Sequence, residues 1–413
     1  MKITAVESIT LLFRYPAARG FRGGKGTCTG RVSCLVRVHT DSGIVGIGSV
    51  YSHPELVRVI IEDHLRGMLI GEDPLDVEGL WEHGYELTRW YGRKGVAISA
   101  LGGIDIALWD IRGKTIGKPI CDLLGSKRHR VPAYASGLLW KEDLTELSHE
   151  ATTYLKRGFR AMKMRLGRNY EYDCAALRIV RNTIGPHARL MIDANARYSV
   201  PELDRLIPEF HSQNAFWLEE PFPPEKLDDY IALHPKLGVP LAAGENEFGV
   251  QGFRELIKAR SVDIVQPDCS RSGGVTECHR IGRLAARHGL SVATHTWSDA
   301  VALAANIHLV ASLSNAMTVE VDCTGNALID NLLKEPFVVT EGEIVVPRRP
   351  GLGIELDENA LHNYMLPRGI RLPDGNYSDM IFGRDFDLPV EPYASTEMTP
   401  DEQARTNAPS SLQ

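Results

Sequence analysis

The sequence lacks the surplus of basic residues that a nucleic-acid-binding surface requires. Its 413 residues include 46 lysines and arginines against 53 aspartates and glutamates, which gives a formal net charge of −7. Nucleic-acid backbones are bound by clustered positive charge. We therefore expect no nucleic acid among the partners of this chain.

Long apolar runs are missing as well. The longest nearly apolar run, from Ala300 to Leu313, is interrupted by Asn306 and His308. It is also shorter than the roughly 20 residues that a membrane helix needs. The first residues show no basic-then-apolar signal pattern and are typical of a strand. We expect no membrane segment.

Cysteine pairs are also missing. The seven cysteines are scattered along the chain without a Cys-x-x-Cys pair, so free thiols in a reducing cytoplasm are the expected state. The content of 43% hydrophobic and 24% charged residues is ordinary for a soluble globular protein. The length indicates about two or three domains with ample core.

Charged or polar residues stand at the ends of successive short apolar runs between positions 163 and 320. These residues are Asp193 and Asn195 in LMIDAN, Glu219 and Glu220 in AFWLEEP, Glu245 in VPLAAGEN, Asp268 in VDIVQPD, His295 in LSVATH and Glu320 in MTVEVD. From Asp193 to Glu320, taking the first glutamate of the pair, the steps are 26, 26, 23, 27 and 25 residues. A parallel strand with its crossover helix and two loops has roughly this length.

This spacing predicts a β/α barrel with its chemistry at one end. Each charged group follows its own strand, and the carboxyl ends of all strands in such a barrel meet on one face. The side chains of these residues are therefore predicted to converge at the barrel mouth.

The same motifs resemble those of the enolase superfamily, in its mandelate racemase-like branch. They are AMKMR, IDAN, WLEEP, GEN, QPD and THTW, with SALGGIDIALWDIRGK upstream. Their order and spacing make the resemblance specific, and it covers nearly the whole chain from Met1 to about Leu361. It implies an α/β fold: a modified TIM barrel, (β/α)7β, with an N-terminal α+β capping domain.

Asp193, Glu219 and Glu245 are the predicted metal ligands. Three carboxylates that converge at a barrel mouth repel one another and would not all stay ionised without a cation. An all-oxygen site with room for water and substrate suits Mg²⁺. Any one of these acids alone would more often be a helix cap or a surface charge. Glu220 is treated as a neighbour, because the family motif makes the first glutamate the ligand.

Asp268 and His295, on consecutive strand ends, are the predicted catalytic pair. A carboxylate beside a histidine fixes its tautomer and raises its basicity, as a general base requires. The alternative is a core histidine bound to a backbone carbonyl, and we assign that role to His288 and His308, which lie within helical patterns. Asn195, two residues after Asp193, is predicted to face the same mouth and to touch substrate.

Lys163 and Arg165 lie one residue apart on a strand, so both point to the same face. The pair matches the Lys-x-Lys position of the family, where the second lysine is a base. Arg165 departs from that pattern, because a guanidinium effectively never deprotonates. Arg165 is therefore expected to stabilise charge or to bind a carboxylate. The family resemblance further suggests that Glu320 hydrogen-bonds the substrate carboxylate.

A glycine-rich loop with Arg19, Arg22 and Lys25 separates the first two strands. It lacks the Gly-Lys-Ser/Thr of a phosphate loop, and by itself it could be a solvated surface loop. In the family the corresponding loop closes over the barrel mouth, so the three cations are predicted to bind substrate.

Four regions are predicted. Residues 1–127 form the α+β capping domain with the closing loop, and residues 128–341 form the barrel. Residues 342–388 resemble the family segment that returns to the capping domain, and residues 389–413 are expected to be an extended polar tail, which could also pack on a neighbouring subunit. The chain is expected to be a homo-oligomer.

The expected activity is Mg²⁺-dependent removal of the proton α to a carboxylate, through an enediolate. Dehydration of an acid sugar to a 2-keto-3-deoxy acid is favoured, because Arg165 fills the place of a second base that a racemase would need. A racemase or epimerase and a sugar-lactone cycloisomerase are the alternatives. A non-catalytic relative would be expected to have gaps among these residues, and none is seen.

Overall fold

The computed structural model describes residues 1–16, 20–24, 26–126, 128–372, 376–377, 380–382 and 393. Arg19 and Lys25 of the predicted closing loop lie outside the described residues, and so does the predicted polar tail apart from Tyr393. Within the described part of the chain, each helix is either too short or too polar to cross a bilayer.

The N-terminal region begins with an antiparallel sheet. Its strands are β1 (Ile3–Arg14), β2 (Phe21–Gly23), β3 (Gly26–Thr40) and β4 (Val45–Val50). The long strand β3 pairs with β1 along its length, and β4 pairs with it on the opposite side from Cys34 to His39. The centre of β3, from Gly30 to Val36, is buried on both faces. Arg31 and Ser33 contact the barrel, and the opposite face of the sheet packs against helices.

Helices cover this face of the sheet. They are α1 (Pro54–Val59), a π-helical turn (Ile60–Leu65), α2 (Arg66–Leu69), α3 (Val77–Gly92), α4 (Val96–Ile116) and α5 (Ile120–Leu123). Sixteen of the 21 residues of α4 are buried, because it packs against both the sheet and the barrel helix formed by Gly274–Arg287. Two aspartates on it, Asp105 and Asp110, are satisfied by hydrogen bonds.

The barrel has eight parallel strands and seven intervening helices. In chain order these are β5 (Arg130–Ser136), α6 (Thr145–Lys156), β6 (Ala161–Arg165), α7 (Tyr170–Ile184), β7 (Arg189–Asp193), α8 (Val200–Ser212), β8 (Ala215–Glu219), α9 (Leu227–Leu237), β9 (Leu241–Ala243), α10 (Gly249–Lys258), β10 (Ile264–Val265), α11 (Gly274–Arg287), β11 (Ser291–Thr294), α12 (Ala300–Ser312) and β12 (Ala316–Asp322). Pairing of β12 with β5 closes the barrel. The predicted (β/α)7β barrel with an N-terminal capping domain is confirmed.

The chain then returns to both regions. The elements that follow are α13 (Ala327–Asp330), β13 (Val339–Thr340), β14 (Glu343–Val345), α14 (Glu358–Tyr364), β15 (Asn376–Tyr377) and β16 (Met380–Phe382). β14 pairs with β5 of the barrel, whereas β16 pairs with β3 of the cap sheet. The four-region division of the chain stays a prediction.

Close packing of α4 on the cap sheet depends on two glycines. Gly48 of β4 meets the backbone of α4 at Gly103, and a Cβ added at Gly48 would overlap the Gly103 carbonyl oxygen. The nearest atoms to a Cβ at Gly48 are all backbone atoms of α4, which cannot move aside as a flexible side chain can. This contact therefore requires glycine for steric reasons.

We predict that Gly48→Ala lowers the free energy of unfolding by roughly 1–3 kcal/mol or more, because overpacking forces the backbone to shift. Chemical denaturation measures this loss. Gly67→Ala is the matched control, since no atom lies within 4 Å of a Cβ at that helical position. Equal stability of the two variants would contradict the packing described here.

Candidate active site

A cavity of about 870 Å³ lies between the barrel mouth and the cap. Its barrel side carries Lys163, Arg165, Asn195, Glu245, His295 and Glu320, and its cap side carries Phe21, Gly23, Gly24 and Tyr51. Four of the strand-end residues predicted from the spacing, Asn195, Glu245, His295 and Glu320, therefore line one space, as the barrel geometry requires.

The three carboxylates predicted to bind metal lie together. Asp193 ends β7, Glu219 ends β8, and Glu245 follows β9 by two residues. One carboxylate oxygen from each lies within 4.8 Å of the others. Asp193 and Glu219 are buried, whereas Glu245 is partly exposed to the cavity. A set of three convergent carboxylate oxygens with one open side fits Mg²⁺, which takes oxygen ligands and keeps positions for water or substrate.

Hydrogen bonds fix the orientation of Glu219. Trp217 Nε1 and Gln266 Nε2 donate to its Oε2 atom at 3.0 and 2.7 Å, which leaves Oε1 directed towards Lys163. Burial raises the pKa of Glu219 well above its usual range, and the nearby charge of Asp193 adds to this. A cation at this position would oppose both effects.

Glu220 has a different role from its neighbour. Its carboxylate accepts hydrogen bonds from Asn246 Nδ2 at 2.7 Å and from the backbone amide of Gly244 at 3.3 Å. The side chain thus ties the turn after β8 to the turn after β9. Burial, with the charge of Glu245, raises its pKa to about 8.

Lys163 lies among the carboxylates. Its Nζ contacts Glu219 Oε1, and it lies 3.0 Å from Glu320 Oε1 and 3.4 Å from Asp193 Oδ2. Burial alone would lower the pKa of Lys163, but the charges of Glu219 and Glu320 outweigh it and hold the pKa well above its usual value. Lys163 is therefore a fixed positive charge at the base of the cavity.

Arg165 adds a second positive charge on the same strand. Its Nη1 lies 2.7 Å from Asp193 Oδ2, and the residue forms part of the cavity wall. A guanidinium in this position can stabilise negative charge but cannot accept a proton at neutral pH.

Asp268 and His295 are paired as the sequence predicts. His295 Nδ1 lies 2.9 Å from Asp268 Oδ2. The other ring nitrogen, Nε2, faces the cavity and lies 3.7 Å from Glu245 Oε2. Burial alone would lower the pKa of His295. The charges of Glu245, Glu320 and Asp268 outweigh burial and raise that pKa to about 9.

Asn306 was missed as a functional residue. Its Nδ2 donates to Asp268 Oδ1 at 3.0 Å and to the His295 carbonyl at 3.2 Å, and its Oδ1 accepts from the amide of Cys269 at 3.0 Å. This buried amide on α12 therefore holds both members of the pair. The available signal was a single amide in an apolar helical run, which the sequence analysis took only as an interruption.

Glu320 and Asn195 both line the cavity. Glu320 Oε2 accepts a hydrogen bond from the Thr296 amide at 2.8 Å, so its carboxylate is held beside Lys163. Asn195 adopts a left-handed backbone conformation, with φ of 47°, and its backbone N–H donates to Asp193 Oδ1 at 2.9 Å. This turn directs the chain after β7 across the mouth.

The closing loop contributes an aromatic side chain to the cavity. Phe21 lines the cavity and packs edge-on against Trp297, with ring centroids 6.3 Å apart. Arg22 lies 3.2 Å from Glu142, with both side chains largely exposed, and its contact with substrate stays a prediction.

A buried ion pair joins the cap to the barrel beside the cavity. Arg31 of β3 and Asp322 of β12 are both fully buried, and Arg31 Nη1 lies 2.7 Å from Asp322 Oδ2. The same guanidinium donates to the Trp297 carbonyl and lies over the Trp297 ring, 5.0 Å from its centroid. Asp322 thus binds Arg31 of the cap sheet, although it lies on the same face of β12 as Glu320.

Two family profiles match the chain. The profile described as mandelate racemase / muconate lactonizing enzyme, N-terminal domain, matches residues 12–125, and the one described as enolase C-terminal domain-like matches residues 146–360. Together they include every strand of the barrel mouth except β5, and neither reaches beyond residue 360.

Curated relatives cover most of the chain. A D-galactarolactone cycloisomerase of Agrobacterium fabrum is 36% identical over 89% of this chain and 100% of its own length. An arabinonate dehydratase of Saccharolobus solfataricus is 34% identical over 79% of this chain and 89% of its own length. These relatives act on acid sugars or their lactones, by their names.

A solved structure of a racemase from Streptomyces coelicolor with bound magnesium has the same fold. It is 27% identical, has a TM-score of 0.82, and covers 88% of this chain and 100% of its own. The use of magnesium in this group of enzymes agrees with the chemistry of the three carboxylates described above.

We predict that Glu219→Gln weakens Mg²⁺ binding by at least about tenfold, because an amide supplies one neutral ligand in place of an anionic one. Isothermal titration of the protein with MgCl₂ measures this without any substrate. Glu220→Gln is the matched control, because its carboxylate is bound to Asn246 and Gly244. If both variants bound Mg²⁺ like the unaltered protein, the triad would not be the metal site.

Proposed function

The chain belongs to the mandelate racemase and muconate lactonizing enzyme group of the enolase superfamily, and from this premise we propose that it dehydrates an acid sugar to a 2-keto-3-deoxy acid. One observation carries the proposal. His295, with Asp268, supplies a base on one side of the cavity, whereas the other side carries Lys163 and Arg165, two cations that cannot serve as a second base.

The substrate carboxylate binds at the charged floor of the cavity. Asp193, Glu219 and Glu245 would hold Mg²⁺, and Lys163 and Arg165 stand beside them. When bound, Mg²⁺ offsets the charge of these carboxylates, stabilises the negative charge that develops on the substrate carboxylate, and lowers the pKa of His295 towards neutrality. Glu320, held beside Lys163, is placed to hydrogen-bond the substrate.

His295 takes the proton from the α-carbon. Asp268 accepts a hydrogen bond from Nδ1, which keeps the lone pair on Nε2, the atom that faces the cavity. Asn306 and Ser270 bind the other oxygen of Asp268, so the imidazole cannot easily rotate away. The electrons of the broken C–H bond pass into the carboxylate to give an enediolate.

Loss of the β-hydroxyl completes the reaction. The enediolate electrons form the C=C bond as the β C–O bond breaks, and the departing hydroxide takes a proton from protonated His295 or from Lys163. The resulting enol tautomerises to the 2-keto acid with uptake of a solvent proton at the β-carbon. The sum of these steps is the release of one water.

A cycloisomerase is the second candidate, favoured by the 36% identity to the Agrobacterium enzyme over its whole length. The first step is the same, but the leaving oxygen belongs to a ring of the substrate. The ring opens and no water is released, so substrate and product have the same mass. A racemase or epimerase fits less well, because Arg165 would have to act as the second base.

We predict that an acid-sugar library incubated with Mg²⁺ in D₂O yields a 2-keto-3-deoxy acid that has lost water and carries deuterium at C3. Mass spectrometry separates the outcomes. A keto acid formed from a lactone without loss of water, heavier only by the deuterium taken up at C3, would identify the cycloisomerase. Interconversion of two α-epimers without keto acid would contradict both β-eliminations.

His295→Asn is expected to reduce kcat by roughly 10²–10⁴-fold, the usual contribution of a general base, while Mg²⁺ binding persists. His288→Asn, at an exposed position after α11, is the matched control and should leave kcat unchanged. Full activity of His295→Asn would exclude His295 as the base.

A further inference from the structure

The last described strand, β16, forms part of the roof of the cavity. It runs antiparallel to β3, with Met380 opposite Arg31 and Phe382 opposite Cys28. β4 pairs with the same side of β3 only as far as Cys34. β16 therefore pairs with the part of β3 that lies beyond the end of β4. Two of its residues line the cavity at the barrel mouth.

The side chains of β16 alternate between two environments. Ile381 is 1% exposed, and its backbone carbonyl accepts a hydrogen bond from Thr29 Oγ1 at 3.1 Å. Met380 and Phe382, on either side of it, both line the cavity. This is the alternation expected of a strand whose faces meet different surroundings.

Phe382 belongs to an apolar cluster with Tyr15 and Cys28, and Met380 and Phe21 pack against this cluster. Phe21 in turn contacts Trp297 on the barrel side. We call Met380 and Phe382 the C-terminal wall. Across the cavity from it, the strand ends that carry Lys163, Arg165, Glu245 and Glu320 are charged, so these two parts of the lining differ in polarity.

We infer that the C-terminal wall determines which acid sugars the enzyme accepts, by contacting the end of the substrate farthest from its carboxylate. The inference rests on the proposed function for the placement of the carboxylate at the charged floor. A distal hydroxyl or carboxylate pressed against Met380 and Phe382 would lose its water without gaining a partner. The wall therefore favours substrates with a short or weakly polar distal end.

This wall lies beyond residue 360, the last residue of the family match. The segment is nevertheless anchored on both sides of the cavity. Tyr393 is buried and packs edge-on against Tyr198, with ring centroids 5.1 Å apart. The Tyr198 hydroxyl donates to Asp173 at 2.7 Å, and Asp173 accepts from the amide of Gly167, just after β6.

The contacts of Tyr393 therefore reach the loop that follows Lys163 and Arg165. The described parts of the C-terminal segment touch the cap at β16 and the barrel at Tyr198. The wall itself is held in place by the pairing of β16 with β3.

The test compares Met380→Ala, Phe382→Ala and the unaltered protein on five-carbon arabinonate and six-carbon galactonate with Mg²⁺. We expect the ratio of kcat/KM for the two acids to change by roughly 10- to 200-fold in favour of galactonate, the range that one apolar contact contributes to discrimination. The Mg²⁺ titration should not change. Ile370→Ala, at an exposed position on the same segment, is the matched control and should keep the original ratio.

A second measurement keeps the wall separate from the reaction. In Met380→Cys the new thiol is alkylated, and peptide mass spectrometry reports its rate with and without acid sugar and Mg²⁺; Ile370→Cys is the control. If acid sugar and Mg²⁺ slow the alkylation of Met380→Cys but not of Ile370→Cys, the wall is supported even when no keto acid forms. In that case only the proposed reaction fails. Unchanged alkylation, or kcat/KM ratios within twofold of the unaltered protein, overturns the wall.

Discussion

Pairing between the first and last barrel strands is the constraint on which the site depends. β12 meets β5 with Glu320 opposite Tyr134 and Asp322 opposite Ser136. This register brings Glu320 within 3.0 Å of Lys163 on β6. A shift by one residue would turn Glu320 away from the barrel interior, because side chains alternate along a strand. Lys163 would then lose one of the three carboxylates that hold it.

The site is a balance of charges in a largely buried space. Four carboxylates, from Asp193, Glu219, Glu245 and Glu320, share the mouth with the cations of Lys163 and Arg165. The negative charge exceeds the positive, which favours a divalent cation. Once a cation and a substrate carboxylate are present, the same groups are close to neutral overall. Such a balance lets charge move during the reaction without a large change in solvation.

The sequence was informative where chemistry and periodicity coincide. Asp193, Glu219 and His295 could be found because each follows a short apolar strand at a regular step, and parallel strands all end on one face. The barrel was predictable for the same reason, whereas the capping domain was expected from the family resemblance. Asn306 was not, since a lone amide in an apolar helix has no motif and its partners lie on other strands.

Contacts between distant segments also escaped prediction. Nothing in the sequence indicates that Asp322 would pair with Arg31, 291 residues away, or that Arg22 would turn to Glu142 while Phe21 faces the cavity. β16 is a further case, because its strand is only three residues long. Such pairings are decided by the three-dimensional closure of cap on barrel, not by local pattern.

The buried pair of Arg31 and Asp322 has a mechanical consequence. If the cap swung away from the barrel as a rigid body, this ion pair, the hydrogen bond to the Trp297 carbonyl and the contact with the Trp297 ring would all have to break together. Opening by rotation of the whole cap would thus be rare, and substrate exchange would depend on smaller movements at the rim of the mouth.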